Sequence, residues 1–475
     1  MNPSFETMML DSSASELDAE ERPEIFSMMP TMQGKDVVEL GAGIGRFTGE
    51  IAEQATSVIA VDFMQSNCDL NEATNCAKPN VDVRCLDVTK MNLPAASADI
   101  VFSNWLLMYL TDAEVAALMV EVAAWLRPGG VFFFRESCFH QSGDAKRETN
   151  PTVYRSPEQY VKLAEACGLQ MERQSTVSTY VKHKRNQNQV AWLLRKPDAN
   201  TQNDATIDVS FQQFLDTEQY TKEGVLAYEA VFGDGYVSTG GAQTTTAFLA
   251  TLDLQPGQKV LDIGCGIGGG DFLMADEYGV EVLGIDLSKN MVNIALERSQ
   301  GLKSSCMFTV ADCTKVEYEP GSFDAVYSRD TLLHIQDKPA LLAKALQWLK
   351  PGGRLFITDY ACGPPDAHTA EFKEYVKKRG YDLKTPAEYG TLVEDVGFID
   401  VVAEDRTAEF ESCLKRELAH LESEAVKAKF KVTFSEESHA YLMKGWAQKV
   451  TRVAGHNAGK NSQAWAMIRA RKAAD

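Results

Sequence analysis

The segment Lys259–Gly270, KVLDIGCGIGGG, carries the pattern on which the fold prediction for this chain rests. It starts as a short apolar run typical of a strand, places Asp262 two residues before Gly264, and then carries five glycines within seven positions. Glycine in a strand-to-helix turn lets a ligand approach the backbone and permits dihedral angles that a Cβ disfavours. The acid ahead of the glycines can accept hydrogen bonds from a ligand ammonium or hydroxyl group. The stretch therefore predicts a cofactor-binding loop rather than a plain turn.

The glycine spacing alone leaves two cofactor classes open. Gly264, Gly266 and Gly269 also satisfy the G-x-G-x-x-G pattern of dinucleotide-binding folds. Asp286 ends the next predicted strand, VEVLGID, where such folds hold a ribose hydroxyl. An oxidoreductase that binds NAD is therefore one hypothesis at this point.

The motifs downstream of the loop separate the two classes. Phe308–Asp312, then SFDAVYSR at Ser322–Arg329, then WLKPGG at Trp348–Gly353 follow in an order that resembles the class I S-adenosylmethionine-dependent methyltransferases. The resemblance implies S-adenosyl-L-methionine as the cofactor. Its implied binding residues are Asp262, Gly264, Gly266, Asp286, Leu287, Asp312 and Cys313.

The glycine loop occurs twice in the chain. VVELGAGIG at Val37–Gly45 and WLRPGG at Trp125–Gly130 recur as VLDIGCGIG and WLKPGG, with an offset of about 223 residues in both cases. Two copies of one domain follow, each expected to be a doubly wound, Rossmann-like α/β domain with a mostly parallel sheet. The predicted boundaries are 1–196 for the first domain, 197–210 for a polar linker and 211–475 for the second. By the same match, the cofactor residues of the first copy are Glu39, Gly41, Gly43, Gly45, Asp62, Asp87 and Asn104.

The first copy starts close to its glycine loop. Only about 40 residues precede it, so the offset puts the counterpart of Tyr220 before residue 1. We therefore expect the first domain to lack the lid segment that precedes the second loop, either through a truncated start or through loss of the lid.

Composition limits the partners of the protein. The chain has 67 acidic and 47 basic residues, a formal charge of −20 and a pI near 4.9, so no basic surface for nucleic acid is expected. No apolar run reaches the roughly 18–20 residues of a membrane span, and no signal pattern opens the chain, which predicts a cytoplasmic protein without membrane insertion. The ten cysteines are scattered singly, so neither disulfides nor a metal site is predicted. The sequence does not indicate an oligomeric state.

A narrower resemblance covers nearly the whole chain. The segments EQYTKEGVLAYEAVFGDGYVSTGG, LDIGCGIGGGDF, SRDTLLHI, ITDY, EFKEYVKKRGYDL and GWAQK look like those of the phosphoethanolamine N-methyltransferases, which make phosphocholine. The tandem layout, with ESCFHQSGD in the first half, is similar to the plant-type enzymes. The resemblance implies a small phosphobase substrate. It also implies that the first domain adds the first methyl group and the second domain adds the other two.

The resemblance also implies roles for residues of the second domain. Tyr220 and His334 would form a catalytic pair, and Val237, Ser238 and Arg329 would join the cofactor set. The chemistry needs a base because only a neutral amine attacks the methyl group, and histidine accepts protons near neutral pH. Cations would hold the phosphate and aromatic faces would suit the methylated ammonium. The implied phosphobase pocket consists of Gln219, Asp330, Tyr360, Tyr375, Arg379, Tyr381 and Lys449.

The first copy differs from the second where substrate chemistry is expected. Trp105 aligns with Asp330 and Tyr109 with His334, and for Tyr109 a core position is the stronger expectation. The polar segment Gly143–Pro157 offers Lys146, Arg147, Tyr154 and Arg155, either as a phosphate grip or as a solvated loop. A non-catalytic first copy and methylation of another small amine, such as glycine, therefore stay open as alternatives.

Overall fold

The computed structural model describes residue 9 and residues 11–144, 151–198 and 209–474, with the backbone alone for 209 and 210. The chain forms two compact units. The first comprises Met1–Thr206 with Ser299–Lys303, and the second comprises Ile207–Arg298 with Ser304–Asp475. Most of the predicted linker at 197–210 lies outside the described residues.

Seven β-strands lie side by side in the described residues of the first unit. Its strands are β1 (Asp36–Leu40), β2 (Ser57–Asp62), β3 (Val81–Cys85), β4 (Ala98–Asn104), β5 (Leu126–Ser137), β6 (Gln170–Thr176) and β7 (Gln189–Arg195). They lie in the order β6-β7-β5-β4-β1-β2-β3, with parallel pairing from β5 to β3, and with β7 antiparallel to both of its neighbours. The helices are Ala14–Ser27, Thr48–Gln54, Gln65–Asn75, Asp112–Trp125, Pro157–Ala166 and Ser178–Lys184.

The second unit repeats this topology. Its strands are β8 (Lys259–Ile263), β9 (Glu281–Asp286), β10 (Cys306–Val310), β11 (Phe323–Arg329), β12 (Leu349–Cys362), β13 (Ile399–Asp405) and β14 (Gln463–Arg471). Their order is β13-β14-β12-β11-β8-β9-β10, and β14 is antiparallel to β12 and β13. The helices are Val209–Phe214, Lys222–Phe232, Gly241–Leu249, Gly269–Tyr278, Lys289–Ser299, Lys338–Trp348, Ala370–Arg379, Pro386–Val396, Thr407–Glu422, Glu424–Thr433 and Glu436–Val453.

The buried parallel strands explain why the fold was visible in the sequence. A strand covered by helices on both faces reads as a continuous apolar run, and four of the five residues of β8 are buried. The core of the second unit centres on Trp348, Tyr389 and neighbouring aliphatic side chains. The prediction of two doubly wound α/β domains is confirmed.

The topology also fixes where a ligand would bind. The chain runs from β8 to β9 and β10 on one side and then returns to β11 on the other side of β8. In such sheets ligands bind in the crevice outside the carboxyl ends of the strands at this point of reversal. The equivalent point of the first unit lies between β1 and β4. Among the described residues, no helix combines the length and apolar character that a membrane crossing requires.

Candidate active site

The glycine loop after β8 lines one wall of a cavity of about 650 Å³. Gly264 has a φ of +83°. A Cβ added there would lie 2.0 Å from Thr331 Oγ1 in the turn after β11. A Cβ on Gly266 would lie 2.9 Å from Val237 Cγ2. The loop therefore needs glycine because the neighbouring segments come within contact distance of its backbone.

Acidic side chains at the strand ends face this cavity. Asp286 Oδ2 accepts a hydrogen bond of 3.0 Å from Gly266 N, and its Oδ1 accepts one of 2.8 Å from Ser288 N. Asp312 Oδ1 accepts from the backbone N and the Oγ1 of Thr314, at 2.9 and 2.6 Å. These bonds hold each carboxylate at the rim of the sheet, where it can accept hydrogen bonds from a polar ligand.

Burial favours the protonated form of two acids of this cavity, Asp286 and Asp262. It raises the pKa of Asp286 to about 6 and that of Asp262 to about 7. The Oδ1 of Asp262 is buried without a donor among the described residues. A buried acceptor without a partner is costly, so this atom calls for a donor, which a ligand or a protonated neighbouring carboxyl group can supply.

The other predicted cofactor residues of the second unit line the same cavity, namely Val237, Ser238, Leu287, Cys313 and Arg329. Arg329 is largely used by the protein itself. Its NH1 group donates to Thr245 Oγ1 at 2.5 Å, and its NH2 group donates to Thr239 O at 2.8 Å and to Thr244 Oγ1 at 3.1 Å. Arg329 therefore fastens the segment that precedes the glycine loop.

That preceding segment is also fastened at its other end. Asp216 Oδ1 accepts from Ser288 Oγ at 2.7 Å. Asn290 Nδ2 donates to the carbonyls of Asp216 and Tyr220, at 3.0 and 2.8 Å. Gln212 Nε2 donates to Leu287 O at 2.9 Å. Residues 211–220 consequently cover the cavity beside the ends of β9 and β11.

The first unit repeats the cofactor turns bond for bond. Gly43 N donates to Asp62 Oδ2 at 2.9 Å, as Gly266 N does to Asp286. Asp87 Oδ1 accepts from the N and Oγ1 of Thr89, at 3.0 and 2.7 Å, as Asp312 does from Thr314. Gly41 and Gly45 also have positive φ values, as the matching glycines do.

Two further predicted residues of the first unit are buried polar groups. Glu39 is 2% exposed, and burial raises the pKa of its carboxyl group to about 8. Asn104 Oδ1, at the end of β4, is buried without a partner among the described residues. Both lie at carboxyl ends of strands, where the topology predicts ligand binding.

Tyr220 and His334 meet at the inner end of the cavity. The Tyr220 hydroxyl lies 3.3 Å from His334 Nε2. His334 Nδ1 is buried and has no partner in the part of the chain that the structure describes. Burial, with the charges of Arg379 and Lys338, lowers the pKa of His334 to about 4. The imidazole is therefore neutral near pH 7, and in this closed environment it binds a proton less readily than the ordinary histidine expected from the sequence.

A second cavity of about 850 Å³ lies on the other side of this pair. It shares Tyr220, His334, Asp330, Val237 and Met291 with the first cavity. The seven residues of the predicted phosphobase pocket all line it: Gln219, Asp330, Tyr360, Tyr375, Arg379, Tyr381 and Lys449.

Cations line one part of the second cavity. Lys449 Nζ donates to Tyr360 Oη at 3.3 Å and lies 4.4 Å from the ring centre of Trp446. Burial lowers the pKa of this ammonium group to about 8. Arg379 donates to Tyr441 Oη at 3.1 Å. Arg379 and Lys449 both line this cavity, where they can contact an anion.

An acid and aromatic rings line the part nearest the shared wall. Asp330 Oδ1 accepts from Trp465 Nε1 at 2.8 Å, and its Oδ2 accepts from Thr239 N at 3.2 Å. The Tyr381 ring lies edge-on to His334 at 5.0 Å and to Tyr375 at 5.7 Å. An amine placed here would face both a carboxylate and the His334 imidazole.

Sequence reasoning missed two residues of this cavity region. The Arg452 guanidinium lies 3.9 Å from the ring centre of Tyr375 and lines the cavity. Its signal was a position three residues after Lys449 on one helix, which puts both on one face. Trp465, which holds Asp330, lies on β14, and nothing in its local sequence indicates that contact.

Two expectations for the first unit were wrong. Tyr109 is 46% exposed and is not a core residue. Arg155 is 1% exposed because it donates to Asp112 and to the carbonyls of Leu107 and Leu110, so it is neither solvated nor available to a phosphate. Its neighbours Lys146 and Arg147 lie outside the described residues.

The predicted alignment of the two turns after β4 and β11 agrees with the backbone. Trp105 has a φ of +58° and Asp330 a φ of +51°, both in the left-handed region. Each is followed by one turn of 3-10 helix, Leu107–Tyr109 or Leu332–His334. The same backbone shape therefore presents Tyr109 in one unit and His334 in the other.

Comparison with known proteins identifies the family. Residues 38–134 and 261–357 each match the model of a methyltransferase domain, which favours that interpretation of the glycine loop over the dinucleotide one. Phosphoethanolamine N-methyltransferase 1 of Arabidopsis thaliana is 50% identical over 98% of this chain and 95% of its own length. The enzyme of the same name from Triticum aestivum is 51% identical, over 98% of this chain and 94% of its own.

A solved structure is similar over the same extent. It is phosphoethanolamine N-methyltransferase 2 of Haemonchus contortus in complex with phosphomonomethylethanolamine and S-adenosylhomocysteine. Its TM-score is 0.73 at 27% identity, covering 96% of this chain and 99% of the other. With two matching domains in tandem and relatives at half identity along nearly its whole length, the chain belongs to the phosphoethanolamine N-methyltransferase family, in its plant-type form.

Proposed function

We propose that this chain transfers methyl groups from S-adenosyl-L-methionine to the nitrogen of phosphoethanolamine, and then to its mono- and dimethyl forms, to give phosphocholine. The domain of residues 1–196 would perform the first step and the domain of residues 211–475 the other two. One observation carries the proposal for the second domain: its two cavities share a wall at Tyr220 and His334. A methyl donor bound in one cavity and a methyl acceptor bound in the other would meet at this wall.

The first cavity fits the cofactor by the chemistry of its walls. S-adenosyl-L-methionine supplies an electrophilic methyl group on a sulfonium. Asp262 would accept hydrogen bonds from the ammonium group of the cofactor, and Asp286 would accept them from its ribose hydroxyls. Asp312 and Cys313 would contact its adenine ring. The glycine loop would let the methionine part lie against the backbone, in the space that a Cβ would fill.

His334 would take the proton from the attacking amine. A primary amine is mostly protonated at pH 7, so its lone pair must first be freed. The neutral imidazole would accept that proton, and the Tyr220 hydroxyl, 3.3 Å from it, would orient the nitrogen. Most of the acceleration would come from holding the two reactants in line, since the step needs no covalent intermediate on the protein.

The second cavity would select the phosphobase. Arg379 and Lys449 would bind the phosphate as charge-assisted hydrogen-bond donors. Asp330 would face the amine, and the tyrosine rings would receive the ammonium as it gains methyl groups. A free amine without phosphate would leave both cations without a partner, which favours phosphobases over ethanolamine or glycine.

The first domain carries the same cofactor turns with other side chains around the acceptor. Trp105 and Tyr109 replace Asp330 and His334. A site with different acceptor chemistry next to an equivalent cofactor loop supports a separate step of the same reaction series.

Disabling one cofactor loop at a time in the full-length chain tests this division. Asp62→Ala should abolish methylation of phosphoethanolamine and leave methylation of its mono- and dimethyl forms. Asp286→Ala should do the reverse, with products followed by mass spectrometry. The exposed acids Asp69 and Asp276 offer matched alanine controls. If Asp62→Ala leaves all three substrates converted, the first domain is not catalytic. If no phosphobase is converted by the wild type, the substrate assignment fails.

A further inference from the structure

Asp262 and Asp271 form a pair of carboxyl groups beneath the second glycine loop. Asp271 lies in the first turn of the helix Gly269–Tyr278 and is fully buried, and Asp262 is 4% exposed. Apart from each other, the Oδ1 of Asp262 and both side-chain oxygens of Asp271 have no donor from another residue in the described part of the chain. A Cβ on Gly284 would lie 2.6 Å from Asp271 Oδ1, so strand β9 closes on this group.

The two carboxyl groups are close enough to share a hydrogen bond once one of them is protonated. Burial raises the pKa of Asp271 well above its ordinary value, and the charge of Asp262 raises it further. Two adjacent buried carboxylates cannot both ionise, so the pair retains a proton near pH 7. The other titratable groups that interact with the pair are Asp286, Arg329, Cys265, Cys306, Tyr236 and Tyr327.

The first unit has a neutral donor at the same place. Thr48 Oγ1 donates to Glu39 Oε2 at 2.5 Å. Thr48 precedes Asp271 by the same 223 residues that separate Gly41 from Gly264, and Glu39 precedes Asp262 by that offset as well. In that unit the acid beside the glycine loop is therefore held by a hydroxyl group, which donates without carrying a charge.

We propose that Asp271 is a positioning residue that stays protonated and donates its hydrogen bond to Asp262, as Thr48 does to Glu39. This bond directs the remaining lone pairs of Asp262 toward the cavity, where an ammonium group of the ligand binds. The identity of that ligand rests on the proposed function. The protonation of Asp271 does not.

The pH dependence of stability tests the protonation. Asp271 keeps its proton in the folded chain and loses it on unfolding above about pH 4, so it lowers stability progressively as the pH rises. Asp271→Asn keeps the shape and a donor but has no such proton. Its thermal midpoint should rise relative to wild type by several degrees between pH 5 and pH 8. The exposed Asp276→Asn, on the same helix, should show no such trend. A pH-independent difference for Asp271→Asn would overturn the proposal.

Calorimetric binding of S-adenosylhomocysteine at pH 7 tests the positioning. Asp271→Asn and Asp271→Thr keep a donor, so their Kd should stay within about threefold of wild type, whereas Asp271→Ala should bind at least about tenfold more weakly. Equal affinity of all three variants would overturn the role of the hydrogen bond. Failure of the wild type itself to bind would count against the proposed cofactor, and the stability measurement would still decide the protonation.

Discussion

The Tyr220 hydroxyl lies 3.3 Å from His334 Nε2, and both side chains belong to the wall between two cavities. Tyr220 comes from the segment before the glycine loop and His334 from the turn after β11, which are 114 residues apart in the chain. The pair therefore exists only when the preceding segment covers the cofactor cavity. Covering the cavity and forming this pair therefore go together, and we expect the cover to exclude water from a ligand bound there.

Removal of the imidazole should slow the chemical step. We expect His334→Ala to lower kcat about 10²- to 10⁴-fold for the dimethyl phosphobase, as is usual for loss of a general base. Tyr220→Phe should lower it less, since the imidazole remains. Binding of S-adenosylhomocysteine should be nearly unchanged in both variants. Tyr278→Phe and His183→Ala serve as controls, and an unchanged kcat in His334→Ala would remove that residue from the mechanism.

His334 should make the protein sensitive to acid. Its pKa in the folded chain is about 4, below the ordinary value of 6.5, so the unfolded chain binds the proton first as the pH falls. Stability is therefore lost between about pH 6.5 and pH 4, and none is lost near pH 7. The thermal midpoint of His334→Gln should rise relative to that of the wild type as the pH drops through this range. A constant difference would mean that the histidine is not held neutral by burial.

Phosphobase affinity should depend on the charge of Lys449. Its pKa of about 8 in the free cavity means that the ammonium group loses its proton as the pH rises past that value. The KM of the wild type for phosphobase should therefore rise above pH 8. Lys449→Arg keeps its charge, so its KM should change less over the same range. Identical pH profiles for the two proteins would exclude Lys449 as the group responsible.

Arg379 should contribute to KM rather than to kcat. Loss of a hydrogen bond to a charged group costs about 1.5–3 kcal/mol, so Arg379→Ala should raise the KM for phosphobase about 10- to 150-fold. Lys377→Ala, an exposed cation on the same helix, is the matched control. Steady-state kinetics at saturating S-adenosyl-L-methionine would give KM and kcat for both variants. Equal KM values would place the phosphate elsewhere.

Two glycines with similar backbone angles allow the effect of backbone strain to be distinguished from that of steric contact. Gly264 and Gly257 have φ values of +83° and +81°, but only at Gly264 does an added Cβ meet a neighbour, Thr331. Gly257→Ala should cost about 1 kcal/mol of unfolding free energy through strain alone. Gly264→Ala should cost clearly more and abolish binding of S-adenosylhomocysteine. Thermal unfolding with and without that ligand measures both effects, and equal losses would show that the close approach of Thr331 is unimportant.

The fold could be predicted because its signals are local. Buried parallel strands and glycine turns appear as short motifs, and their repetition at one offset gave both domains at once. The pocket residues came from a resemblance, and the structure brings all seven around one cavity.

The roles of several side chains could not be predicted from the sequence, because they depend on contacts with residues far along the chain. Trp465 holds Asp330 from 135 residues away. The donors of Arg329 are used by three threonines before the loop, which a motif match does not reveal. Arg155 looked solvated because its neighbours are polar, yet buried carbonyls of another turn surround it. Asp271 lies next to a glycine motif, and its proposed role is suggested only by comparison with Thr48, which donates to Glu39.

The left-handed residue after β4 and β11 carries a different side chain in each half, Trp105 in one and Asp330 in the other. A non-glycine residue in that region carries a strain of order 1–3 kcal/mol, which the surrounding structure must compensate in both halves. The two turns thus share one backbone conformation and carry different side chains on it. Grafting Asp330–His334 onto the first half would replace the side chains of this turn and keep its backbone, so the turn is the unit to exchange in any redesign of the two halves.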